Sequence, residues 1–529
     1  MSNPNNYPPQ VHIPKPTSTT TSDQVKAIIN ITLSFMEKRL HKSGNVYLVD
    51  PRARKVFFID EEAIFNTITD LALINNNLVL SNSAIQTAKR ILKSEAGATP
   101  SKISLRVGLG QHAYFLDFGD GLNYIQYSEE GASRISLTLH ATPPIIDVDF
   151  FRPPNLSCIS VISNWKRPSH ARYPSPYDEP KPTDWLPKQA PHLNYLLRLT
   201  NIPEKYYSTV ITWMVCTLFP EREQAILEIT GEESSGKSTA AWIIKSLIDP
   251  ADKALNEAPN TSNELIFIAQ NSHIIAIDNA DDLSESMQKL IYELSNNGIQ
   301  SQSKHGNSGT NWNVNLRNPV IVTSTSSMIT HTLLVKKSIS IDLPNLEEAI
   351  TDHYIKEKFQ ENQFFALFEL AQISADVLKS SRTPSIKINN DIYFDNFTLT
   401  GAAVCKYFDI EALELIQILK ELKSEINDDM IDDSVVARAF LLWAAKNSKS
   451  KTNKPLNHWH KELSKILPKE ERDDWPNSTR KFGAELKKIA PRLKKKGVFC
   501  KSLGKQGSNV LWEIRVSETT PIPDDIDDV

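Results

Sequence analysis

Apolar and polar positions follow three successive rhythms along this chain. Between residues 226 and 343 the short apolar runs ILEIT, HIIAID and PVIVTST alternate with segments of helical spacing, at 237–247 and 284–296. Nearly continuous apolar strands separated by helices predict a parallel α/β sheet covered on both faces. Beyond residue 343 the period becomes helical, most strongly at 357–379, 409–425 and 433–446. Ahead of the sheet the pattern is mixed. Residues 24–39 and 83–94 read as helices, NVYLVDPRARKVFFID as two strands about an Asp50-Pro51 turn, and 103–109, 113–118, 123–127 and 135–139 as strands. The apolar stretch 210–219 is too short to span a bilayer and reads as a buried helix. At 457–516, helices are followed by VFCKSLGKQGSNVLWEIRV, two strands around a Gly-containing turn, the pattern of a winged-helix module.

These rhythms imply a multidomain α/β protein. The divisions expected are a disordered tail at 1–24, an N-terminal α+β domain at 25–163, a Pro-rich linker at 164–192 and a phosphate-loop core at 193–345. A helical region at 346–450, a nucleic-acid-binding domain at 451–517 and an acidic tail at 518–529 complete the chain. No repeat recurs at a fixed period.

Composition adds three points. The 529 residues are 40% hydrophobic, enough for several cores. Cys158, Cys216, Cys405 and Cys500 lie far apart, with neither zinc-ligand spacing nor a disulfide framework, and the first residues carry no basic-then-apolar leader pattern. A cytoplasmic, non-membrane protein is expected. The net charge of −4 hides an asymmetry: between residues 478 and 505 there are ten Lys or Arg residues against the single acid Glu485.

The chemistry concentrates in GEESSGKST, residues 231–239, which fits G-x-x-x-x-G-K-[ST] between an apolar strand and a helix. Gly231 and Gly236 let backbone N–H groups curl around phosphate oxygens across Glu232, Glu233, Ser234 and Ser235. Lys237 neutralises the β- and γ-phosphates, Ser238 ligates Mg²⁺, and the helix that includes Thr239 aims its positive end at the same anion. The expected ligands are ATP and Mg²⁺. Asp278 ends the next apolar strand, where its carboxylate can hold Mg²⁺ beside Ser238. It is followed by Asn279, an amide that orients water but is a poor base, so slow hydrolysis is expected unless Asp281 or Asp282 acts instead. Thr323 or Ser324, at the end of the PVIVTST strand, is placed to sense the γ-phosphate. Arg317, Lys336 and Lys337 are the remaining cations that can reach phosphate, including that of a neighbouring subunit.

Two further regions point to nucleic acid. Ser478 reads as the N-cap of a helix seated by Phe482, Leu486 and Ile489, leaving Arg480, Lys481, Lys487 and Lys488 outward to meet duplex phosphates. Between the strands of Asp278 and Thr323 lies GIQSQSKHGNSGTNWNVNLRNP, a β-hairpin candidate with Lys304-His305 at its tip.

Together GEESSGKST, HIIAIDNADDLS, NPVIVTST, KKSISIDLP and WPNSTRKFGAELKKIAPRLKKKGV resemble the primase/helicase-type ATPases carried by phages and other bacterial mobile elements. The resemblance spans about 123–516, and its core is similar to superfamily 3 and AAA+ helicases. It implies a hexamer-like ring with ATP at subunit interfaces, and a Lys304-His305 tip gripping single-stranded DNA in the channel. The sensor position, often Asn, is Thr323 here, and Lys337 stands where an arginine is expected; lysine lacks the bidentate fork. Two motifs are set aside. Asp117-Phe118-Gly119 lacks the other parts of a kinase and reads as a strand end, and Asp147 with Asp149, followed by Ser169-His170, resembles a primase metal site but precedes a domain exit. The expectation is an ATP-dependent DNA helicase or translocase of mobile-element replication. The alternatives are a nucleotide-gated DNA-binding switch and a fused primase-helicase.

Overall fold

Five parallel strands form the sheet that carries the GEESSGKST loop. In the computed structural model, which describes residues 20–160 and 189–517 apart from 42–44, 137–145, 305–310, 347–349, 381–394 and scattered shorter gaps, the chain divides into two compact units. One comprises Met1–Met328 with Lys337–Leu419, the other Ile329–Lys336 with Lys420–Val529. The parallel sheet belongs to the first. From one edge its order is Asn256–Glu257, Ile275–Asp278, Val320–Thr323, Ile226–Thr230 and Ser338–Asp342. The strand that leads into GEESSGKST is thus the fourth, between Val320–Thr323 and the edge strand Ser338–Asp342. Ile226–Thr230 and Val320–Thr323 are buried along their whole lengths, which is why their sequences are near-continuously apolar.

The helices around this sheet follow the sequence pattern. Lys237–Ile248 packs Ala240, Ala241, Ile243, Ile244 and Leu247 inward. Every residue of Tyr207–Thr217 is buried, and its Trp213 indole donates to the Ala225 carbonyl at 2.7 Å, fixing the helix to the start of the loop-bearing strand. The helical region is realised as Asp352–Ser380, Asp395–Tyr407 and Ala412–Asp432.

The residues before the sheet build two further sheets, one six-stranded and one four-stranded and antiparallel. The Asp50-Pro51 turn forms as expected: Val46–Asp50 and Lys55–Phe57 pair antiparallel, with the Asp50 carboxylate accepting from the Arg52 amide at 2.9 Å. The first helix, Thr21–Phe35, stops earlier than the helix expected at 24–39. Met36 is extended, and Glu37–His41 pairs with Val46–Asp50 as a strand. Cross-strand hydrogen bonding there overrides a weak helical period. Strand Gly131–Ser136 begins before the expected 135–139, of which 137–139 lie outside the described residues.

The four-stranded sheet packs on the parallel-sheet core. Tyr114 and Tyr127 stack at 5.3 Å, both against Phe219, and their hydroxyls donate to the Glu221 carboxylate and the Leu218 carbonyl, each at 2.5 Å. Among the described residues no helix is long and apolar enough to cross a membrane.

In the second unit Val435–Lys446, Leu456–Leu463 and Thr479–Leu493 cover an antiparallel sheet of order Lys451–Pro455, Asn509–Val516, Val498–Gln506. Its core joins Phe440, Trp459, Leu463, Phe482, Leu486 and Ile514. The strand Lys451–Pro455 and the membership of Val435–Lys446 in this core go beyond the sequence pattern.

Candidate phosphate-loop site and nucleic-acid surfaces

All five parallel strands deliver their C-terminal ends to one side of the sheet, and GEESSGKST leaves from Ile226–Thr230, the neighbour of the edge strand Ser338–Asp342. Gly231 has φ +142°, and a β-carbon on it would stand 2.7 Å from Ser235 Oγ and 2.9 Å from the Leu343 carbonyl oxygen. Only glycine fits such a closely curled entry. Gly236, with φ +91° and ψ 13°, is the left-handed N-cap from which Lys237–Ile248 starts. Ser234 is also left-handed, at φ +64°, a backbone conformation of the kind from which anion nests are built.

The Lys237 ammonium is buried under this loop and donates to the carbonyls of Gly231 at 2.7 Å and Glu232 at 2.6 Å. Ser238 Oγ donates to both Asp278 carboxylate oxygens, at 2.9 and 3.0 Å. Thr323 Oγ1 donates to Asp278 Oδ1 at 2.5 Å and accepts from the Asn279 amide at 3.1 Å. The pattern therefore brings Lys237, Ser238, Asp278 and Thr323 into one cluster. A helix N-terminus backed by a buried ammonium is an electrostatic trough for an anion, and the Ser238–Asp278 pair beside it presents oxygen donors to a hard cation.

The other expected residues are placed differently. Asn279 contributes through its backbone, at φ +54°, which turns the chain directly after Asp278. Asp281 Oδ1 accepts from the Thr325 amide and hydroxyl, both at 2.6 Å; the Thr325 hydroxyl is the main cause of a pKa below the ordinary aspartate range. Ser324 Oγ is buried in the same loop region, without a hydrogen-bond partner. Lys337 precedes its strand at the opposite end of the sheet, where it forms an ion pair with Glu223. Arg317 donates to the Glu221 carbonyl at 2.6 Å. Neither joins the cluster around Asp278. Asp282 and Lys336 lie outside the described residues.

Several supports carried no sequence signal. Asn201, left-handed at φ +56°, donates through Nδ2 to the carbonyls of Ser235 and Pro344, both at 2.8 Å, bracing the loop from outside. Asn345 donates to the Glu232 carboxylate at 3.0 Å, and Thr230 to Asp342 at 2.8 Å. Glu233 and Ser234 are exposed at the loop surface, and Thr239 is half-buried in the first helical turn.

The hairpin candidate forms as Ile299–Lys304 and Asn311–Leu316, with Lys304 opposite Asn311 as the last pair before the tip; His305 lies outside the described residues. In the second unit Ser478 caps Thr479–Leu493, its hydroxyl accepting from the Lys481 amide at 3.3 Å. Phe482, Leu486 and Ile489 are buried, whereas Arg480, Lys481 and Lys487 are exposed; Lys488 lies on the same helix. Arg492, part of the basic run, is instead buried, and burial depresses its pKa. Glu485, the acid within the run, accepts from the Ser434 hydroxyl at 2.8 Å.

The motifs set aside behave as strand ends and ion pairs. Asp117 closes strand Tyr114–Asp117 and pairs with Arg152 at 2.6 Å. Asp149 is fully buried against Arg54 at 2.8 Å and Arg39 at 3.5 Å, with the Tyr47 hydroxyl at 3.1 Å. Two guanidiniums neutralise it, a structural arrangement rather than an open metal ligand. Asp147, Ser169 and His170 lie outside the described residues.

Residues 193–433 match the family described as the actinomycete integrative conjugative element replication protein, and residues 436–523 match the C-terminal domain of that RepA. The likeness is to a mobile-element replication protein. Among solved structures the chain is similar to the active helicase Cch of SCCmec type IV, with 13% identity over 91% of this chain and 93% of that one and a TM-score of 0.43. It is also similar to the apo A form of the NrS-1 C-terminal region, with 10% identity over 92% of this chain and 98% of that one and a TM-score of 0.37. No curated protein matches the chain.

Proposed function

We propose that this chain is an ATP-driven DNA helicase or translocase serving replication of a mobile element. The observation that carries the reading is the Ser238 hydroxyl resting on both oxygens of Asp278, directly beside the curled 231–236 loop. That is the donor set Mg²⁺-ATP requires, a hydroxyl and a carboxylate together. The glycine-only entry at Gly231, and Ser235 Oγ buried in the loop without a hydrogen-bond partner, fit a phosphate cradle. Lys237, released from the Gly231 and Glu232 carbonyls, would neutralise the β- and γ-phosphates, while Ser238 and Asp278 would hold Mg²⁺ and Thr323 would keep Asp278 oriented. Bound Mg²⁺ supplies charge neutralisation at the transferring phosphate.

The strand order, with the loop-bearing strand between Val320–Thr323 and Ser338–Asp342, supports an AAA+-like core. The order helix, strand, helix, helix, strand, strand from Val435 to Val516 supports a winged helix, with Thr479–Leu493 presented to a duplex major groove. Lys304, in the last strand pair before the hairpin tip, would meet single-stranded DNA in the channel of a homo-oligomeric, hexamer-like ring. The Lys337–Glu223 pair would have to open before Lys337 reached a neighbour's nucleotide.

One observation favours the second reading, a nucleotide-gated DNA-binding switch with weak hydrolysis. Asn279 offers no carboxylate, and Asp281 is held by two hydrogen bonds from Thr325. A carboxylate so stabilised is a weak base. Steady-state ATPase assays separate the two readings. The motor reading expects turnover stimulated by single-stranded DNA and abolished in Lys237→Ala; tight ATP binding without turnover supports the switch, and loss of neither in Lys237→Ala contradicts both.

A further inference from the structure

We propose that Arg106 is a positioning residue that couples the N-terminal domain to the phosphate loop and Asp278, so that nucleotide binding is felt in that domain. This rests on the nucleotide reading of the loop and adds a regulatory path to it.

The Arg106 guanidinium is fully buried between the two parts. On the N-terminal side it donates to the carbonyls of Asp117 and Ser157, both at 3.0 Å. Towards the core it donates to the Pro250 carbonyl at 3.1 Å and pairs with Asp249 Oδ1 at 3.4 Å. The neighbouring backbone is stitched across the same seam: the Ser157 amide donates to the Pro250 carbonyl at 3.2 Å, the Asp252 amide to the Asn155 carbonyl at 3.1 Å, and Leu156 bridges to Ala251.

Asp249 gives this contact its reach. It is the C-cap of Lys237–Ile248, the helix whose first turn holds Lys237 and Ser238. Its Oδ2 accepts from Lys245 Nζ at 2.7 Å and from the amides of His273 and Ile274 at 2.9 and 3.0 Å. Those two residues lead into Ile275–Asp278. One carboxylate therefore ties together the far ends of the helix and the strand whose near ends meet as Ser238 and Asp278. Burial alone would raise its pKa, but the charges of Lys245 and Arg106 hold it well below the ordinary aspartate range, so it remains an anion. A second tie runs parallel: His273 Nε2 donates to the Thr217 carbonyl at 2.9 Å, and Tyr127 of the N-terminal sheet donates to the next carbonyl, that of Leu218.

A regular helix is stiff along its axis, and a shift of its first turn is carried to its last. Sliding the N-terminal sheet independently of that last turn would strand the buried Arg106 charge, far more costly than losing a neutral contact. The two parts therefore move together.

Hydrogen–deuterium exchange of the full chain, with and without Mg²⁺ and a non-hydrolysable ATP analogue, tests this. In the wild type, nucleotide is expected to slow exchange at least fivefold in residues 231–240 and also in 104–118 and 155–158. Arg106→Met is expected to keep the first protection and lose the second, with kcat falling at least fivefold, KM within twofold, and partial rescue in Arg106→Lys. Tyr127→Phe, which removes only a hydroxyl, is expected to weaken the remote protection should Arg106→Met fail to fold. Protection confined to the loop in the wild type, or remote protection that survives in a folded Arg106→Met, overturns the coupling. No protection even at 231–240 overturns the nucleotide reading and this proposal with it.

Discussion

A β-carbon at Gly231 would stand 2.7 Å from Ser235 Oγ and 2.9 Å from a backbone carbonyl oxygen, at a φ of +142°. The carbonyl cannot yield as a flexible side chain would. Gly231→Ala should therefore cost about 1–3 kcal/mol in backbone strain and clash, read by denaturant unfolding, and should lower ATP affinity through a widened loop. An alanine variant with wild-type stability and affinity would contradict the described curl. His273 gives a pH dependence. Desolvation lowers its pKa from 6.5 despite the nearby Asp249 charge, so the folded imidazole stays neutral where the unfolded one takes a proton. Below about pH 6.5 the unfolded state binds more protons, and stability is lost as pH falls through that window. His192, also depressed by burial, acts with the same sign. The melting temperature should drop from pH 7 to pH 5.5, and His273→Gln should flatten part of the drop; an unchanged slope in the variant would count against the buried neutral ring.

Among the elements, Thr479–Leu493 was the most legible in sequence. Ser478 as cap, Phe482, Leu486 and Ile489 inward, and Arg480, Lys481 and Lys487 outward all follow from a 3.6-residue period with strong polarity contrast. Arg492 escaped that reasoning because the period alone does not show a long side chain being enclosed by neighbours. Residues 37–39 of strand Glu37–His41 fall within the helical period of 24–39 because EKRLH has no strong alternation, and their state is decided by Val46–Asp50 across the sheet. Helix Glu62–Asn76 carries no clear sequence signal, since its Ile and Thr residues blur helical and strand preference. For the basic helix, Lys487→Ala should weaken duplex binding about equally across sequences and reduce the salt slope by about one. Sequence-dependent loss would instead mean that Lys487 reads bases. Ser478→Ala should destabilise the second unit by about 1 kcal/mol through loss of the cap.

For the whole molecule, the parallel sheet and its loop were foreseeable, because apolar strands and a glycine-bounded loop are local signals. The attachment of the N-terminal sheet to the core was not. Arg106 and Asp249 lie 143 positions apart, and each alone reads as a solvated charge. Long-range pairing of this kind leaves no periodic trace, and the Pro-rich stretch between the two parts suggested independence instead. Nucleotide turnover at Lys237, Ser238 and Asp278 is proposed to drive movement on DNA. Strand displacement from a forked duplex, measured with the full chain in the presence of Mg²⁺-ATP, tests it most directly. Displacement is expected to need ATP, to be lost in Lys237→Ala and to fall in Lys304→Ala; ATP hydrolysis with no displaced strand, or displacement unaffected by Lys237→Ala, would contradict a motor.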